Sequence, residues 1–529
     1  MPGLKKSAHI ILIALQSKAS YSRLKACLRS RPNSFSLFLS GEIEDFLANY
    51  DYDVIVAGGG MAGLITAASI GYYSKQKARI LVVDRNLPAD PGKKTINGWT
   101  CGDAVSKRSV DYIANNIEIH YGAPELEHPV DGVLVYSPDH ETKVLFEGEG
   151  FILNRKILPR RQVEDAKKMG AEFVYNVVCD RLYNEDGFVR GVVGRTMPEG
   201  TPFKKTAKMV VDAAGSATKL RPNLPIPSKI DPDIDRDDLE STGRYIFDFE
   251  VDGEDSTWFD PRYALIHLDQ YLAPGGYCWT FPKGKSKVNI GLGVQKKALD
   301  ERNRKNGKKD SLQELIDQYV AMNKVIKKPA QSPDGEDLGN TKGSWQVSVR
   351  RHNDCLVANG YAIVGDSAWM ARPIDAGGIG PSIYASVMLG KVVAQALEAN
   401  DTSEKGLWPF NLEYMKHHGY QMASFEVLRR YLQTLTNEQI SYGMKYFLSE
   451  DDISSIVNRE HPRFSRLRLL NPAMMVRIAK EPKLATGLKH TADMSEELIS
   501  HNMNFPEKPE GFAAWKSQLH SKLEQAFKF

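Results

Sequence analysis

A glycine-rich turn between two apolar strands constrains the fold of this chain more than any other segment. Residues 52–57 form a compact apolar run, and residues 58–63 have the sequence Gly-Gly-Gly-Met-Ala-Gly. A helical pattern follows over residues 64–73, and a second apolar strand covers residues 78–84. This order and spacing predict a βαβ unit, in which two parallel strands flank a crossover helix. The chain is therefore expected to have an α/β fold.

The glycines of this turn are typical of a dinucleotide-binding site. Gly58 permits the tight turn, Gly60 lets the backbone approach a pyrophosphate, and Gly63 allows the helix to pack closely on the strand. The helix N-terminus offers unpaired N–H groups and a partial positive charge to the phosphates. Asp84, at the end of the second strand, is placed to accept hydrogen bonds from ribose hydroxyls. The alternative, an ordinary glycine-rich turn, gives Asp84 no role.

Two later segments indicate that the dinucleotide is FAD. Residues 208–215 and 361–367 are short strands, and the second leads through Pro373 to a glycine cluster at 377–380 and a long helical pattern over 382–397. Together with the first turn, they resemble the FAD proteins of the glutathione-reductase and p-hydroxybenzoate-hydroxylase fold. The resemblance implies that Asp366 binds the ribityl chain. It also implies that a helix opening near Ile379 directs its positive end at the flavin.

Composition limits the function classes. The chain has 529 residues with 69 Lys and Arg against 66 Asp and Glu, so a nucleic-acid partner is not indicated. The five cysteines are widely spaced, without a C-x-x-C pair, which suits a reducing cytosol. No metal-ligand spacing is present, and we expect no metal site. The expected location is cytoplasmic, with peripheral contact to a membrane as an open alternative.

The first forty residues differ from the rest of the chain. They hold seven Lys and Arg and no Asp or Glu, together with an apolar run at residues 10–15 that is too short to span a bilayer. Three interpretations compete: a targeting segment, a basic arm that touches anionic lipid, and a disordered extension. We favour a disordered extension over residues 1–50.

An aromatic hairpin is the second distinctive feature. Side chains alternate along a strand, so Tyr277, Trp279 and Phe281 share one face. Gly291 and Gly293 share a face of the returning strand, and glycines in strands often mark the close approach of a ligand or a backbone. The pattern alone favours an aromatic stripe packed into a sheet core. The alternative is a wall for a long, flat, apolar ligand.

Two motifs make a specific resemblance. Residues 101–107, Cys-Gly-Asp-Ala-Val-Ser-Lys, follow the first βαβ unit, and the hairpin has the pattern Tyr277-x-Trp279-x-Phe281-Pro282, eight residues, and Gly291-x-Gly293. Both resemble hallmarks of archaeal-type geranylgeranyl reductases, and the similarity runs from about residue 52 into the C-terminal helices. Near Pro373 the chain departs from the family pattern, with Arg372 before the proline and Asp375 after it.

The resemblance implies an FAD-dependent reductase that saturates C=C bonds of geranylgeranyl chains in archaeal-type lipid precursors, with hydride from reduced flavin N5 and a proton. Tyr277 and Trp279 are then catalytic and, with Phe281, Gly291 and Gly293, bind the chain. Cys101 tunes the flavin or takes part in proton delivery. The substrate is a lipid or a diphosphate, and the electron donor, reduced ferredoxin or NAD(P)H, stays open. The FAD contacts implied beyond Gly58 and Gly60 are Gly63, Asp84, Cys101, Gly102, Ala104, Arg161, Cys179, Asp366, Gly378 and Ile379.

The expected architecture is a discontinuous FAD-binding domain with an insertion. The FAD domain is assigned residues 51–128, 155–222 and 342–400, and an antiparallel-sheet substrate domain is assigned residues 129–154 and 223–341. A helical region covers residues 401–529. Two alternative functions remain at this point: a flavin monooxygenase or hydroxylase on the same fold, and a non-catalytic, FAD-bound isoprenoid carrier.

Overall fold

The computed structural model describes residues 50–86, 101–331, 342–448 and 472–529. The predicted extension over residues 1–50 therefore lies outside the described residues, apart from Tyr50. The strands in this part of the chain are β1 (Tyr52–Ala57), β2 (Ile80–Val83), β3 (Ala104–Ser106), β4 (Leu126–Tyr136), β5 (Lys143–Leu153), β6 (Ala171–Val174), β7 (Val177–Glu185), β8 (Phe188–Thr196), β9 (Pro202–Asp212), β10 (Leu239–Val251), β11 (Tyr263–His267), β12 (Cys278–Pro282), β13 (Lys287–Gln295), β14 (Ile326–Gln331), β15 (Lys342–Ser348), β16 (Val357–Ala358) and β17 (Tyr361–Ile363).

The helices fall between and after these strands. They are α1 (Met61–Tyr73), α2 (Lys107–Ile117), α3 (Leu158–Lys168), α4 (Lys296–Asn306), α5 (Leu312–Met322), α6 (Ile379–Glu398), α7 (Glu404–Leu407), α8 (Pro409–His417), α9 (Met422–Leu432), α10 (Asn437–Tyr446), α11 (Pro472–Lys480), α12 (Pro482–Met503) and α13 (Phe512–Ala526). None of these helices is long and apolar enough to span a bilayer.

The first sheet is built around the predicted βαβ unit. Its strand order is β16-β17-β9-β1-β2-β6, and β1 pairs in parallel with both β2 and β9. All four residues of β2 are buried, as a parallel strand covered on both faces requires. Helices α1 and α6 pack against each other over this sheet. The apolar segments predicted at residues 208–215 and 361–367 supply β9 and β17, which also pair in parallel.

The second sheet carries the aromatic hairpin. Its order is β14-β10-β13-β12-β11-β4-β5-β3, and β15 also pairs with β10, along a different stretch of that strand from β14. Strands β12 and β13 are antiparallel, with Trp279 opposite Gly291 and Cys278 opposite Leu292. Cys278 packs in a core cluster on the opposite face from Trp279, as the alternation predicts. This sheet is mostly antiparallel, but β4 and β11 run parallel.

Two short strands depart from the predicted domain ranges. Strand β3 pairs with β5, and β15 pairs with β10, so both belong to the second sheet. Both lie within the residues predicted for the FAD domain, 51–128 and 342–400. The motif that begins at Cys101 thus continues directly into a strand of the second sheet.

The C-terminal region is helical, as predicted. Helices α9 and α12 pack against each other, and α13 packs on α12. Aromatic side chains of this region are core residues: Phe410 and Tyr414 are fully buried, and Trp408 stacks on Phe505.

Candidate active site

The carboxyl ends of the parallel strands meet at one edge of the first sheet. Strand β1 ends before Gly58, β2 before Asp84, and β9 at Asp212, while β17 is followed closely by Asp366. Open α/β sheets bind their ligands at this edge. The topology of the sheet therefore places the candidate site at this edge.

In the glycine turn after β1, Gly58 and Gly63 are in close contact with neighbouring backbone, whereas Gly60 is open. Gly58 has φ +114°, and a Cβ added there would lie 2.2 Å from the Ala213 carbonyl oxygen. A Cβ on Gly63 would lie 1.9 Å from the Gly58 carbonyl oxygen, so helix and turn are in direct contact. A Cβ on Gly60 would meet nothing within 4 Å. The turn thus presents an open backbone surface at Gly60, at the N-terminus of α1.

Asp84 braces this turn from the next strand. Its Oδ2 accepts a hydrogen bond from the Gly59 N–H at 2.5 Å, and its Oδ1 accepts one from the Asn86 N–H at 2.8 Å. Burial raises the pKa of Asp84, although these two N–H groups act against the shift. Cys179, on β7, lies close enough that the charge of Asp84 influences it, and burial raises the pKa of its thiol to about 12.

A buried carboxylate organises the end of β9. Asp212 is fully buried and accepts hydrogen bonds from Tyr361 Oη at 2.8 Å, Thr218 Oγ1 at 2.7 Å and Ser367 Oγ at 3.0 Å. These bonds tie β9 to the segment after β17. Asp366, next to Ser367, is thereby fixed at the sheet edge.

Asp366 faces the start of the long helix α6. The helix begins at Ile379, and a Cβ on Gly378 would lie 3.4 Å from Asp366 Oδ1. Burial raises the pKa of Asp366, and the nearby Arg155 guanidinium opposes that shift. Arg155 therefore reaches the neighbourhood of Asp366 from a different part of the chain.

The Cys101 loop is held by Arg155. Cys101 Sγ accepts a hydrogen bond from Arg155 Nη2 at 3.1 Å and another from the Asp103 N–H at 3.3 Å. In this arrangement the sulfur serves as an acceptor. Burial disfavours the charged guanidinium, but Cys101 and Asp103 outweigh it, and the pKa of Arg155 is raised.

Asp103 is the centre of a buried polar network beneath this loop. Its side chain is fully buried, and its backbone has φ +67°, a left-handed conformation that is uncommon outside glycine. Arg155 Nε donates to Oδ1 at 3.0 Å and Asn289 Nδ2 donates to Oδ2 at 2.9 Å, while Lys283 Nζ lies 3.5 Å from Oδ2. Asn289 Nδ2 also donates to the Cys101 carbonyl oxygen at 2.8 Å. The network joins the loop to β13 of the second sheet.

The aromatic side chains of the hairpin lie over the same loop. A Cβ on Gly102 would lie 2.9 Å from Phe281 Cε2 and 3.9 Å from Trp279 Nε1. Trp279 Nε1 donates to Asn289 Oδ1 at 3.0 Å, and a Cβ on Gly291 would lie 2.6 Å from Trp279 Cζ2. Glycine at 102 and 291 therefore lets the loop and β13 approach the aromatic rings closely.

Tyr277 joins this wall to the segment that precedes α6. Its hydroxyl donates a hydrogen bond to the Asp375 carbonyl oxygen at 2.5 Å. Burial, with Asp375 and Glu240 adding to it, raises the pKa of Tyr277 well above its usual value. Asp375 also forms an ion pair with Arg372, so the two residues that depart from the family pattern neutralise each other.

The structure brings several of the predicted site residues together, and the FAD contact at Arg161 stays a prediction. Arg161, on α3, forms an ion pair with Asp165 at 2.9 Å and lies 3.7 Å from Glu125. The arginine in contact with the Cys101 loop is Arg155, six residues earlier, and the sequence interpretation missed it. Asp103 and Asn289 were also missed, although both lie inside the two motifs. A buried acid and amide within those motifs are the signal that could have found them.

Comparison with known proteins identifies the family. Residues 238–330 match the model of the geranylgeranyl reductase catalytic domain. A digeranylgeranylglycerophospholipid reductase from Sulfolobus acidocaldarius is 32% identical over 480 residues, which are 90% of this chain and 98% of the relative. The chain belongs to the geranylgeranyl reductase family. A second reductase of the same name, from Methanothrix thermoacetophila, is 27% identical and covers 80% of this chain and 97% of its own length.

Two solved structures have a fold similar to that of this reductase. A geranylgeranyl bacteriochlorophyll reductase-like protein from Thermoplasma acidophilum has a TM-score of 0.63 and 22% identity, and the match covers 83% of this chain and 99% of that protein. A myxobacterial FAD-dependent chondrochloren halogenase has a TM-score of 0.56 and 16% identity, and covers 87% and 99%. At these identities the likeness concerns the fold alone.

Family and fold together make the protein an FAD-dependent oxidoreductase that acts on carbon–carbon double bonds. The residues at the sheet edge fit FAD. The open backbone at Gly60 leaves room for a diphosphate, and Asp84 and Asp366 stand at two separate strand ends, as an extended dinucleotide requires. The predicted fold class, cofactor and reaction class are thus confirmed.

Proposed function

We propose that this reductase saturates the geranylgeranyl chains of a digeranylgeranylglycerophospholipid, the substrate class named for its relatives. The observation that carries the proposal is the position of the aromatic hairpin. Trp279 and Phe281 lie against Gly102 of the Cys101 loop, and Arg155, which donates to Cys101 Sγ, also acts on Asp366 at the FAD-binding edge. A chain held on this wall is beside the expected position of the flavin.

The wall suits an isoprenoid chain on physical grounds. Tyr277, Trp279 and Phe281 give a continuous apolar surface, and the adjacent rings are 6.1 and 6.2 Å apart. Such a surface excludes water from an apolar ligand. An isolated alkene develops positive charge when it is protonated, and aromatic faces attract cations through their quadrupole. The same residues would therefore hold the chain and stabilise charge during its reduction.

The cofactor-binding roles follow from where each residue lies. The turn containing Gly58, Gly60 and Gly63 would hold the diphosphate at the N-terminus of α1. Asp84 and Asp366 would accept hydrogen bonds from ribose and ribityl hydroxyls. When bound, reduced FAD supplies the hydride. Further contacts are proposed at Cys101, Gly102, Ala104, Cys179, Gly378 and Ile379.

Cys101 is proposed to act on the cofactor through its sulfur. Arg155 and the Asp103 N–H both donate to Sγ, which fixes the sulfur in one position. Gly102 has no side chain, so the backbone next to Cys101 can approach the cofactor closely. A fixed, polarisable sulfur near the flavin would tune the flavin's reduction potential.

One feature argues against the hydroxylase alternative. Arg221 lies in a segment that faintly resembles the one that such enzymes use beside NADPH. Its side chain is buried, donates to the Pro232 carbonyl oxygen at 2.6 Å and lies 4.2 Å from the centre of the Trp369 ring. It is thus engaged in packing, which does not favour a nicotinamide contact.

The test is anaerobic reoxidation of the reduced flavoprotein. The holoenzyme is reduced with dithionite and mixed with digeranylgeranyl lipid or with the fully saturated lipid as control. Reoxidation of the flavin absorbance by the unsaturated lipid alone supports the proposal. Reoxidation by neither lipid supports the carrier alternative, and rapid oxygen-dependent NADPH oxidation stimulated by an aromatic compound supports the hydroxylase. Reduced ferredoxin and NAD(P)H, tested separately in place of dithionite, identify the donor.

A further inference from the structure

A row of polar side chains borders the glycine strip opposite the aromatic wall. Strand β10 pairs with β13 so that Thr242 lies opposite Gly293 and Arg244 opposite Gly291. Residues directly opposite each other in an antiparallel pair point to the same face of the sheet. Glu240, two residues before Thr242, therefore shares the face that carries Gly291, Gly293 and the aromatic residues.

The carboxyl group of Glu240 is directed toward this strip. Its Oε2 lies 3.4 Å from the position of a Cβ on Gly293. The side chain is only 4% exposed, and among the described residues none donates a hydrogen bond to its carboxyl oxygens. A buried carboxyl group without partners costs free energy when it is charged. This position therefore favours an acid that retains its proton.

The electrostatic surroundings of Glu240 are simple. Burial raises its pKa to about 7, and among the described residues Arg429 on α9 is the charge that opposes this shift. Arg429 is itself bound to Asp238 at 2.6 Å and to Gln433 at 3.0 Å. Tyr277, directly before β12, is the titratable group on the other side, since the charge of Glu240 acts on it. At neutral pH a large fraction of Glu240 is thus protonated.

We propose that Glu240 is the catalytic acid that protonates the alkene. The inference rests on the proposed reductase function. The Glu240 O–H bond breaks as its proton forms a C–H bond with one alkene carbon, and the hydride supplied by reduced FAD forms a C–H bond with the other carbon. Glu240 is left as a carboxylate, which takes a proton from solvent before the next turnover. The double bond gains one proton and one hydride, so atoms and electrons balance.

The other two acids near the wall are less suited to this step. Cys101 Sγ already accepts two hydrogen bonds, from Arg155 and from the Asp103 N–H. Tyr277 donates its hydroxyl proton to the Asp375 carbonyl oxygen, and burial raises its pKa well above the usual value. Of the acidic residues at alternate positions of β10, Glu240 is the buried one and lies beside Gly293, whereas Asp248 is half-buried and Glu250 is exposed.

The first test compares Glu240→Gln with Glu240→Asp and Glu250→Gln in the holoenzyme. Gln has the shape and neutrality of a protonated Glu but no acidic proton. We expect E240Q to lower kcat about 100-fold or more, the usual contribution of a general acid, while KM for the lipid and FAD content stay unchanged. E240D should retain part of the activity. E250Q, on the same strand but solvent-exposed, is the matched control and should equal the wild type.

Two further readouts separate an acid from a merely structural residue. The kcat of the wild type should fall as pH rises above about 7, because the acid loses its proton, and E240Q should lack this limb of the profile. Added formic acid should restore activity to Glu240→Ala by occupying the space of the missing carboxyl group, and should not stimulate the wild type.

A measurement without turnover keeps the proposal testable if a variant is unstable. Infrared difference spectra of the oxidised holoenzyme across neutral pH should show the C=O band of a protonated carboxyl group, absent in E240Q. Wild-type kcat in E240Q, or absence of the band in the wild type, would overturn the role of Glu240. If the wild type itself reduces no geranylgeranyl lipid, the reductase proposal fails instead.

Discussion

Arg155 donates a hydrogen bond to Asp103 across 3.0 Å, and their side chains are only 6% and 0% exposed. A buried ion pair of this kind recovers its desolvation cost only when further hydrogen bonds satisfy both partners. Asn289 and the sulfur of Cys101 supply those bonds. One hydrogen-bond network thus holds three segments together: the Cys101 loop, the residues just before α3, and strand β13.

Breaking this pair should destabilise the protein. Asp103→Ala leaves the Arg155 charge buried without its main partner, and we expect a loss of about 3–5 kcal/mol in the free energy of unfolding. Denaturant unfolding of the wild type and the variant measures it. Asp111→Ala is the matched control, because it removes an ion pair with Lys107 that is 44% and 47% exposed, and no measurable change is expected. Equal effects of the two substitutions would contradict the role given to Asp103.

The glycine turn offers a pair of substitutions that separate folding from cofactor binding. A Cβ added at Gly60 would meet no atom within 4 Å, and the backbone there has φ −77°, which any residue adopts. Gly60→Ala should therefore leave the stability of the protein unchanged while its affinity for FAD falls. Gly58→Ala would place its Cβ 2.2 Å from a carbonyl oxygen at φ +114°, so it should destabilise the protein. Thermal unfolding of the apoprotein and FAD titration distinguish the two. Unimpaired FAD binding by Gly60→Ala would contradict the assignment of the turn.

Trp279→Ala should impair turnover more than it impairs FAD content. The ring lies over Gly291 and beside Gly102, so its loss removes part of the proposed lipid wall. It also leaves a cavity, and we expect a cost of about 3–5 kcal/mol in stability. The measurements are kcat/KM for the lipid and the ratio of bound FAD to protein.

Cys278→Ala is the matched control for this prediction. Cys278 is the next residue along β12 and is fully buried on the opposite face. It should alter stability without a specific loss of activity. If Trp279→Ala lowered turnover and FAD content equally, the aromatic stripe would be sheet core only.

Acid should weaken the second sheet through His267. This residue is buried, with Nδ1 2.6 Å from Tyr319 Oη and Nε2 2.7 Å from the Thr257 carbonyl oxygen. Burial lowers its pKa to about 4, with His140 acting in the same direction and Asp255 against it.

The folded state therefore resists protonation that the unfolded chain accepts near pH 6.5. Its stabilising contribution is complete above that pH and is lost as pH falls toward 4, by about 3 kcal/mol. Unfolding free energies at neutral and acidic pH should show a smaller acid loss in His267→Gln than in the wild type. An identical loss in both would show that His267 does not carry this effect.

Local patterns were sufficient to predict the parts of the fold that depend on neighbouring residues. The glycine turn and Asp84 lie within one βαβ unit, and the faces of Tyr277 and Cys278 follow from strand alternation. The two motifs pointed to the family, from which the reaction class followed. The roles of individual residues at the site remain predictions.

The missed residues depend on contacts between distant segments. Arg155 and Asn289 meet Asp103 across 52 and 186 residues of sequence. Glu240 reaches the glycine strip only through the register of β10 on β13, which no local pattern predicts. The pairing of β3 with β5 and of β15 with β10 also lies beyond local patterns, since partner choice in a sheet is a tertiary property.

Mass spectrometry of the lipid after a single anaerobic incubation shows directly whether the enzyme saturates its double bonds. The dithionite-reduced holoenzyme is incubated with digeranylgeranylglycerophospholipid, and the extracted lipid is compared with that from the oxidised holoenzyme. We expect the lipid to gain two hydrogens for each double bond reduced, with the reduced enzyme only. An unchanged lipid mass with a fully reduced, FAD-loaded enzyme would contradict this expectation.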